Sequence, residues 1–262
     1  MNINIPQQYF SKLMRAVVEF NLIENNDHIL IGLSGGKDSL FLTYALAILR
    51  ERLPKKFTLS AVTIDPMFTD NFAADSLTKF CRNLGIEHSV HKVDINGTIK
   101  SSSKNPCFTC AYFRRGAINR LAIEKKCNKV AYAHHHDDAV ETFFMNLLYS
   151  GQIQTFTPST YLDKSHLTVI RPLIYFREEE MRTAVKYHKM TPLASPCPID
   201  GTTMRQDTKE LLASLNKTYP FFYEHLAAAM RENAVGSLWS AAPDRKQMKA
   251  IYDKFIHKSS RS

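Results

Sequence analysis

Apolar and polar positions along this chain follow two rhythms. Phe10, Leu13, Val17, Val18 and the run 20–22 recur at helical spacing, which predicts an amphipathic N-terminal helix. Unbroken apolar runs then alternate with helical patterns. Residues 28–33 (HILIGL) read as a buried strand, 39–50 as a helix, and 57–64 as a second strand. A helix over 70–84 closes at Gly85, and 86–93 is a third strand. After a polar loop, 111–126 is helical, 129–133 (KVAYA) is a fourth strand, 138–149 is a helix stopped by Gly151, and 167–171 is a fifth strand. Helical patterns return over about 205–216, 219–231 and 244–257. The βαβα rhythm predicts an α/β fold, a doubly wound parallel sheet with helices on both faces. An N-terminal helical segment (1–25), a central domain (26–200) and a C-terminal helical extension (201–262) follow from the same reading.

Composition narrows the classes. The chain has 262 residues, 44% of them hydrophobic, and no apolar run near the roughly 20 residues of a spanning helix. The start MNINIPQQYF lacks the charged and apolar regions of a signal peptide, so a cytoplasmic location without membrane attachment is expected. Five cysteines, an odd number, do not suggest a disulfide framework. The formal charge is +9, and it is uneven. Residues 1–100 carry eleven basic and ten acidic side chains, whereas 101–130 carry seven basic residues and only Glu124. Such a basic stretch points to a polyanionic partner.

Glycine is scarce at nine residues, yet Gly32, Gly35 and Gly36 crowd together where the first strand ends. The strand runs into Leu33-Ser34-Gly35-Gly36-Lys37-Asp38-Ser39. Paired glycines let backbone N–H groups approach an anion, and the following helix adds its positive end. Ser34 and Ser39 add hydroxyls, and Lys37 adds a point charge for phosphate. Ile31 and Asp38 stand where a Walker A loop needs glycine and Ser or Thr, so this is not that loop. SGGKDS after a first buried strand resembles the PP-loop of the N-type ATP pyrophosphatases, of the adenine-nucleotide alpha hydrolase-like fold. That resemblance implies that ATP is cleaved between its α- and β-phosphates and that an oxygen of the substrate is adenylylated. Ile64 and Asp65, at the end of the second strand, stand where the nucleotide is met; an ordinary turn cap is the alternative for Asp65.

Cys107-Phe108-Thr109-Cys110 reads as a tight pair in a loop opened by Asn105-Pro106. Cys197 lies in Ser195-Pro196-Cys197-Pro198, where flanking prolines stiffen an extended segment. Three thiolates suit a [4Fe–4S] cluster with one open iron, or zinc with one further ligand, and a redox disulfide is the rival for the C-x-x-C pair. Cys81 and Cys127 sit in or beside helical patterns and read as small buried side chains. The C-x-x-C pair, Arg114-Arg115-Gly116, His134-His135-His136-Asp137-Asp138, Val169-Ile170-Arg171-Pro172-Leu173, the Pro196-Cys197 segment and Arg205-Gln206 together resemble the tRNA 2-thiocytidine synthesis family, over about residues 25–230. It is related to the cluster-dependent tRNA 2-thiouridine synthases. Two departures stand out: Ala133 replaces a frequent glycine, and Asp200 lies near the place of a further cysteine.

The resemblance implies an ATP-dependent tRNA sulfurtransferase that thiolates C2 of a pyrimidine, with Cys107, Cys110 and Cys197 holding the cluster. Its partners would be tRNA, ATP, Mg²⁺, a sulfur donor (sulfide or a cysteine desulfurase) and, as in many relatives, a second copy of the chain. A 2-thiouridine or small-molecule acceptor, or a zinc-stabilised RNA-binding module, are the alternatives. Asp137 and Asp138 read as helix caps or as a site for Mg²⁺ or proton transfer; the resemblance favours Asp138 as the acid/base or metal-orienting residue. It also puts Arg114 in the place of a catalytic basic residue. His134 is the histidine expected to line the site.

Overall fold

The computed structural model describes residues 4–69, 72–101, 106–194, 197, 203–232 and 244–250. In chain order the strands are β1 (His28–Gly32), β2 (Thr58–Asp65), β3 (Glu87–Lys92), β4 (Lys129–Ala131), β5 (Ser159–Leu162) and β6 (Leu167–Ile170). The helices are α1 (Gln7–Glu19), α2 (Lys37–Arg52), α3 (Asp75–Asn83), α4 (Ile95–Ser101), α5 (Pro106–Glu124), α6 (His136–Ser150), α7 (Glu178–Tyr187), α8 (Met204–Thr218) and α9 (Phe222–Glu232).

A strand without a polar face has to be covered on both sides, and the middle of β1 is. Ile29 and Ile31 join a core shared with α1, α2 and α7. Leu30 points the other way, into a second core with Val62, Val130 and the Ala117, Ile118, Leu121 and Ala122 face of α5. The apolar character of α2 runs around the whole helix, and ten of its residues are buried, as an interior helix requires.

The six-stranded sheet has the order β3-β2-β1-β4-β6-β5. All pairs are parallel except β5 with β6. From β1 the chain moves outward to β2 and β3, then returns to place β4 on the other side of β1. That reversal opens a crevice at the carboxyl ends of β1 and β4, where open α/β sheets bind ligands. Residues 33–36 after β1 and 132–135 after β4 meet there.

Several expectations are corrected. The C-x-x-C pair is not in a loop: α5 starts at Pro106, whose fixed φ and missing N–H suit the first helical position, so both cysteines lie in its first turns. The supposed polar loop before it contains α4, and α7 and the antiparallel edge strand β5 were not expected. β4 stops at Ala131, and α6 begins at His136, two residues early. In the C-terminal extension, 245–250 is helical, while 251–257 lies outside the described residues. Among the described residues no helix is long and apolar enough to cross a membrane.

Candidate active site

The loop after β1 is built by short-range bonds. Gly35 has φ +84°, a conformation that favours glycine, and its carbonyl accepts from the Leu193 N–H at 2.9 Å. Ser39 Oγ donates to the Gly36 carbonyl at 2.9 Å, and Ser34 Oγ donates to Ser39 Oγ at 3.1 Å. Both hydroxyls are thereby set at the N-terminus of α2. Lys37 Nζ lies 3.0 Å from Asp38 Oδ2 and 3.1 Å from Glu178 Oε1. Burial opposes its charge, but Asp38 and Glu178 outweigh burial and hold its pKa above the usual value.

Across the crevice, Asp137 and Asp138 separate into two roles. Asp137 is buried and turned toward α7. Arg177 Nε donates to it at 3.1 Å and the Glu178 N–H at 2.9 Å, so it caps the next helix. Burial would raise its pKa, but the neighbouring His135, the hydrogen bonds and charge of Arg177 and the Glu178 N–H hold it well below the carboxylate range. Asp138 accepts from the His135 N–H at 2.9 Å, which caps α6, and its other oxygen lies 3.5 Å from Arg205 Nη1. His135 is buried between these two acids. His134 packs against Phe156 with centroids 5.1 Å apart, and burial brings its pKa down to about 4, so it is neutral and available as a hydrogen-bond partner. Asp65 accepts from the Met67 N–H at 2.9 Å, the turn cap that was the alternative to a nucleotide contact, next to Ile64 at the carboxyl end of β2.

Cys107 and Cys110 sit one turn apart on α5 and share a face. None of the five cysteines is in a disulfide. Burial raises the Cys107 thiol, the charges of Cys197 and Cys110 raise it further, and Arg205 opposes them. At Cys110 burial dominates, Arg114 opposes it and Cys197 adds to it. The three sulfurs therefore share one neighbourhood, flanked by Arg114 and Arg205. Among the described residues no group of His, Cys, Asp or Glu is already set as a metal site, so the thiols form a neighbourhood and not a finished ligand set. The other two behave as buried small side chains, with burial pushing the Cys81 thiol up to about 12 and Cys127 up to about 11. Pro196, Pro198 and Asp200 lie outside the described residues.

A family model described as a PP-loop domain matches residues 6–196. The tRNA-cytidine(32) 2-sulfurtransferase of Geotalea uraniireducens is 35% identical over 225 residues, covering 84% of this chain and 89% of that protein. The chain belongs to this family of PP-loop tRNA-cytidine(32) 2-sulfurtransferases. The Vibrio vulnificus member is 34% identical over 248 residues, covering 88% of this chain and 78% of its own. A solved U34-tRNA thiolase from Methanococcus maripaludis, determined with its [4Fe-4S] cluster, shares the fold with a TM-score of 0.67 at 24% identity, covering 85% of this chain and 77% of that one.

In this PP-loop family member, distant segments supply polar groups that local sequence pattern did not flag. Glu178 binds Lys37 of the loop, Lys209 of α8 at 2.5 Å and Arg182 at 3.0 Å. Burial would raise its pKa, but Lys209, Lys37 and Arg182 bring it down to about 2. Glu141, buried on α6, lies 3.6 Å from Arg205 Nε. Burial pushes its carboxyl up to about 7; Arg205 and Lys209 oppose this and Asp138 adds to it. One available signal was the acidic triplet Glu178-Glu179-Glu180, the composition of a helix start.

Proposed function

We propose that this chain uses ATP to convert a cytidine of a tRNA anticodon loop to 2-thiocytidine. The observation that carries the reading is the place of Arg205. It stands 3.5 Å from Asp138, beside the loop crevice, while its charge acts on Cys107, so the crevice and the thiols share one cationic neighbour. The family membership supports the reaction, and the basic stretch 101–130 supports an RNA substrate.

The residues divide the work. Leu33 to Ser39 would take the phosphates of ATP on backbone N–H groups, the two serine hydroxyls and Lys37. Ile64 and Asp65 would border the nucleoside, with His134 as a neutral wall. Asp38 Oδ1 is buried without a hydrogen-bond partner among the described residues and, with Asp138, would hold Mg²⁺ against the phosphates. The pyrimidine 2-oxygen then attacks the α-phosphorus and pyrophosphate leaves. Sulfur attacks C2 and AMP carries the oxygen away. Arg114 and Arg205 would balance the anionic charge of this exchange, and Asp138 would position or exchange a proton at the base. Asp137 serves through position, by fixing the start of α7.

Three thiols in one neighbourhood, flanked by two arginines, fit an iron–sulfur group. Cys107, Cys110 and Cys197 would hold a [4Fe–4S] cluster, which when bound supplies an iron without a protein ligand for sulfur coming from sulfide or a cysteine desulfurase. The test is anaerobic incubation of the protein with tRNA, ATP, Mg²⁺ and sulfide. AMP and pyrophosphate should appear in step with 2-thiocytidine. Formation of ADP and phosphate, or AMP formation indifferent to tRNA, would overturn the reading.

A further inference from the structure

α5 has two faces. Thr109, Ala117, Ile118, Leu121 and Ala122 are buried. The opposite face presents Phe108 and Tyr112, 55% and 62% exposed, with Phe113 beside them at 40%. Residues four apart lie one above the other on a helix, and here the two rings are stacked, with centroids 6.4 Å apart and planes 17° from parallel. Phe113 meets Tyr112 edge-on at 5.5 Å. The sequence reading assigned these aromatic residues no role.

The next position in the same row is Gly116. A Cβ there would meet nothing within 4 Å, and its φ is not positive, so neither packing nor backbone conformation asks for glycine. Glycine inside a helix is destabilising, and one of its uses is to let another backbone come close. Arg115 and Arg120 are exposed on the same helix, which also carries Arg114 and has Glu124 as its one acid. Stacked rings, a bare backbone step and cations are what an unpaired nucleic-acid strand needs. Its bases stack on the rings and its phosphates pair with the cations. A double helix, whose bases already stack on one another, gains nothing from the rings.

We propose that Phe108 and Tyr112 are a stacking platform for unpaired bases of the RNA loop that carries the target, with Gly116 admitting the RNA backbone and Arg115 meeting a phosphate. The proposal rests on the tRNA substrate proposed above and names how that substrate is held. Because Phe108 lies between Cys107 and Cys110, a base held there fixes the loop next to the thiols.

The test compares a full tRNA with a fully paired RNA of similar length at one salt concentration. Phe108→Ala and Tyr112→Ala should each weaken tRNA binding by about five- to a hundredfold, leave binding of paired RNA and ATP unchanged, and leave the salt dependence unaltered. Tyr112→Trp should keep wild-type affinity. Gly116→Ala should raise the melting temperature yet weaken tRNA binding, a combination that a merely structural glycine would not give. Wild-type protein that binds tRNA beside alanine variants that bind it equally well would overturn the platform and leave the proposed function standing. Alanine variants that change the sedimenting mass but not RNA affinity would show that a second copy covers the rings, and would also overturn it. Wild-type protein that prefers paired RNA or binds no tRNA would refute both.

Discussion

Asp137→Asn tests the division of labour between the two adjacent acids. The carboxylate is 10% exposed and accepts three close contacts, two from Arg177 Nε at 3.1 and 3.2 Å and one from the Glu178 N–H at 2.9 Å. Asparagine keeps the shape and one acceptor oxygen, so the change amounts to about one charge-assisted hydrogen bond, worth roughly 1.5–3 kcal/mol. Arg177 is 34% exposed and lies 3.6 Å over the Tyr223 ring, so solvent and the ring can relieve its charge in part. The expected loss is about 2 kcal/mol at pH 7, read by urea unfolding, or a melting temperature lower by about 4–8 °C for a chain of this size. Its pH dependence follows from the depressed pKa. The carboxylate stabilises the fold fully above the unfolded value near 3.9, and that stabilisation fades as pH falls toward the folded value. The gap between wild type and variant should therefore be present at pH 6 and narrow below about pH 4. A loss under about 0.5 kcal/mol at pH 7, or a gap that widens in acid, would refute the role of Asp137 as a strut.

Three further outcomes can be checked. Gly35→Ala forces a side chain into φ +84° and puts its Cβ 2.9 Å from the Leu193 side chain; calorimetry should show ATP affinity lost at least about tenfold, with a folding cost of about 1–2 kcal/mol, and unchanged affinity would contradict the loop assignment. Cys107→Ser changes an exposed residue, so stability should move by less than about 0.5 kcal/mol while iron bound by anaerobically prepared protein falls away; retained iron would remove Cys107 from the ligand set. Glu141→Gln imitates a carboxyl that burial keeps protonated up to about 7. A raised carboxyl pKa costs stability as pH climbs from the unfolded value near 4.3 through 7. The variant should match wild type near pH 4 and be the more stable at pH 8, and the opposite trend in denaturation curves would refute the raised pKa.

What the sequence made legible were features written in contiguous residues. The run HILIGL followed by SGGKDS told of a central strand feeding a glycine turn into a helix, and both are found there. The three cysteines read as a set and stand together in the fold. Features made by segments far apart in sequence stayed hidden. Nothing near Lys37 announces Glu178, and nothing near Asp138 announces that Arg205 will face it while Asp137 turns to Arg177. β5 is four residues long and partly exposed, so it carries no hydrophobic alternation to detect. The helical start of the C-x-x-C pair was legible, because Pro106 suits a first helical position, and the loop reading passed over it. The polar pair Asp137-Asp138 was ambiguous for a physical reason: a carboxylate that caps a helix and one that serves a reaction look alike until the neighbouring elements are in place.

The most direct measurement of the central claim is mass-spectrometric nucleoside analysis of tRNA from a strain lacking this protein. It should show loss of 2-thiocytidine, restored by the wild-type chain and not by Cys197→Ala or Lys37→Ala. Undiminished 2-thiocytidine in the deletion strain, or restoration by the Cys197→Ala chain, would contradict it.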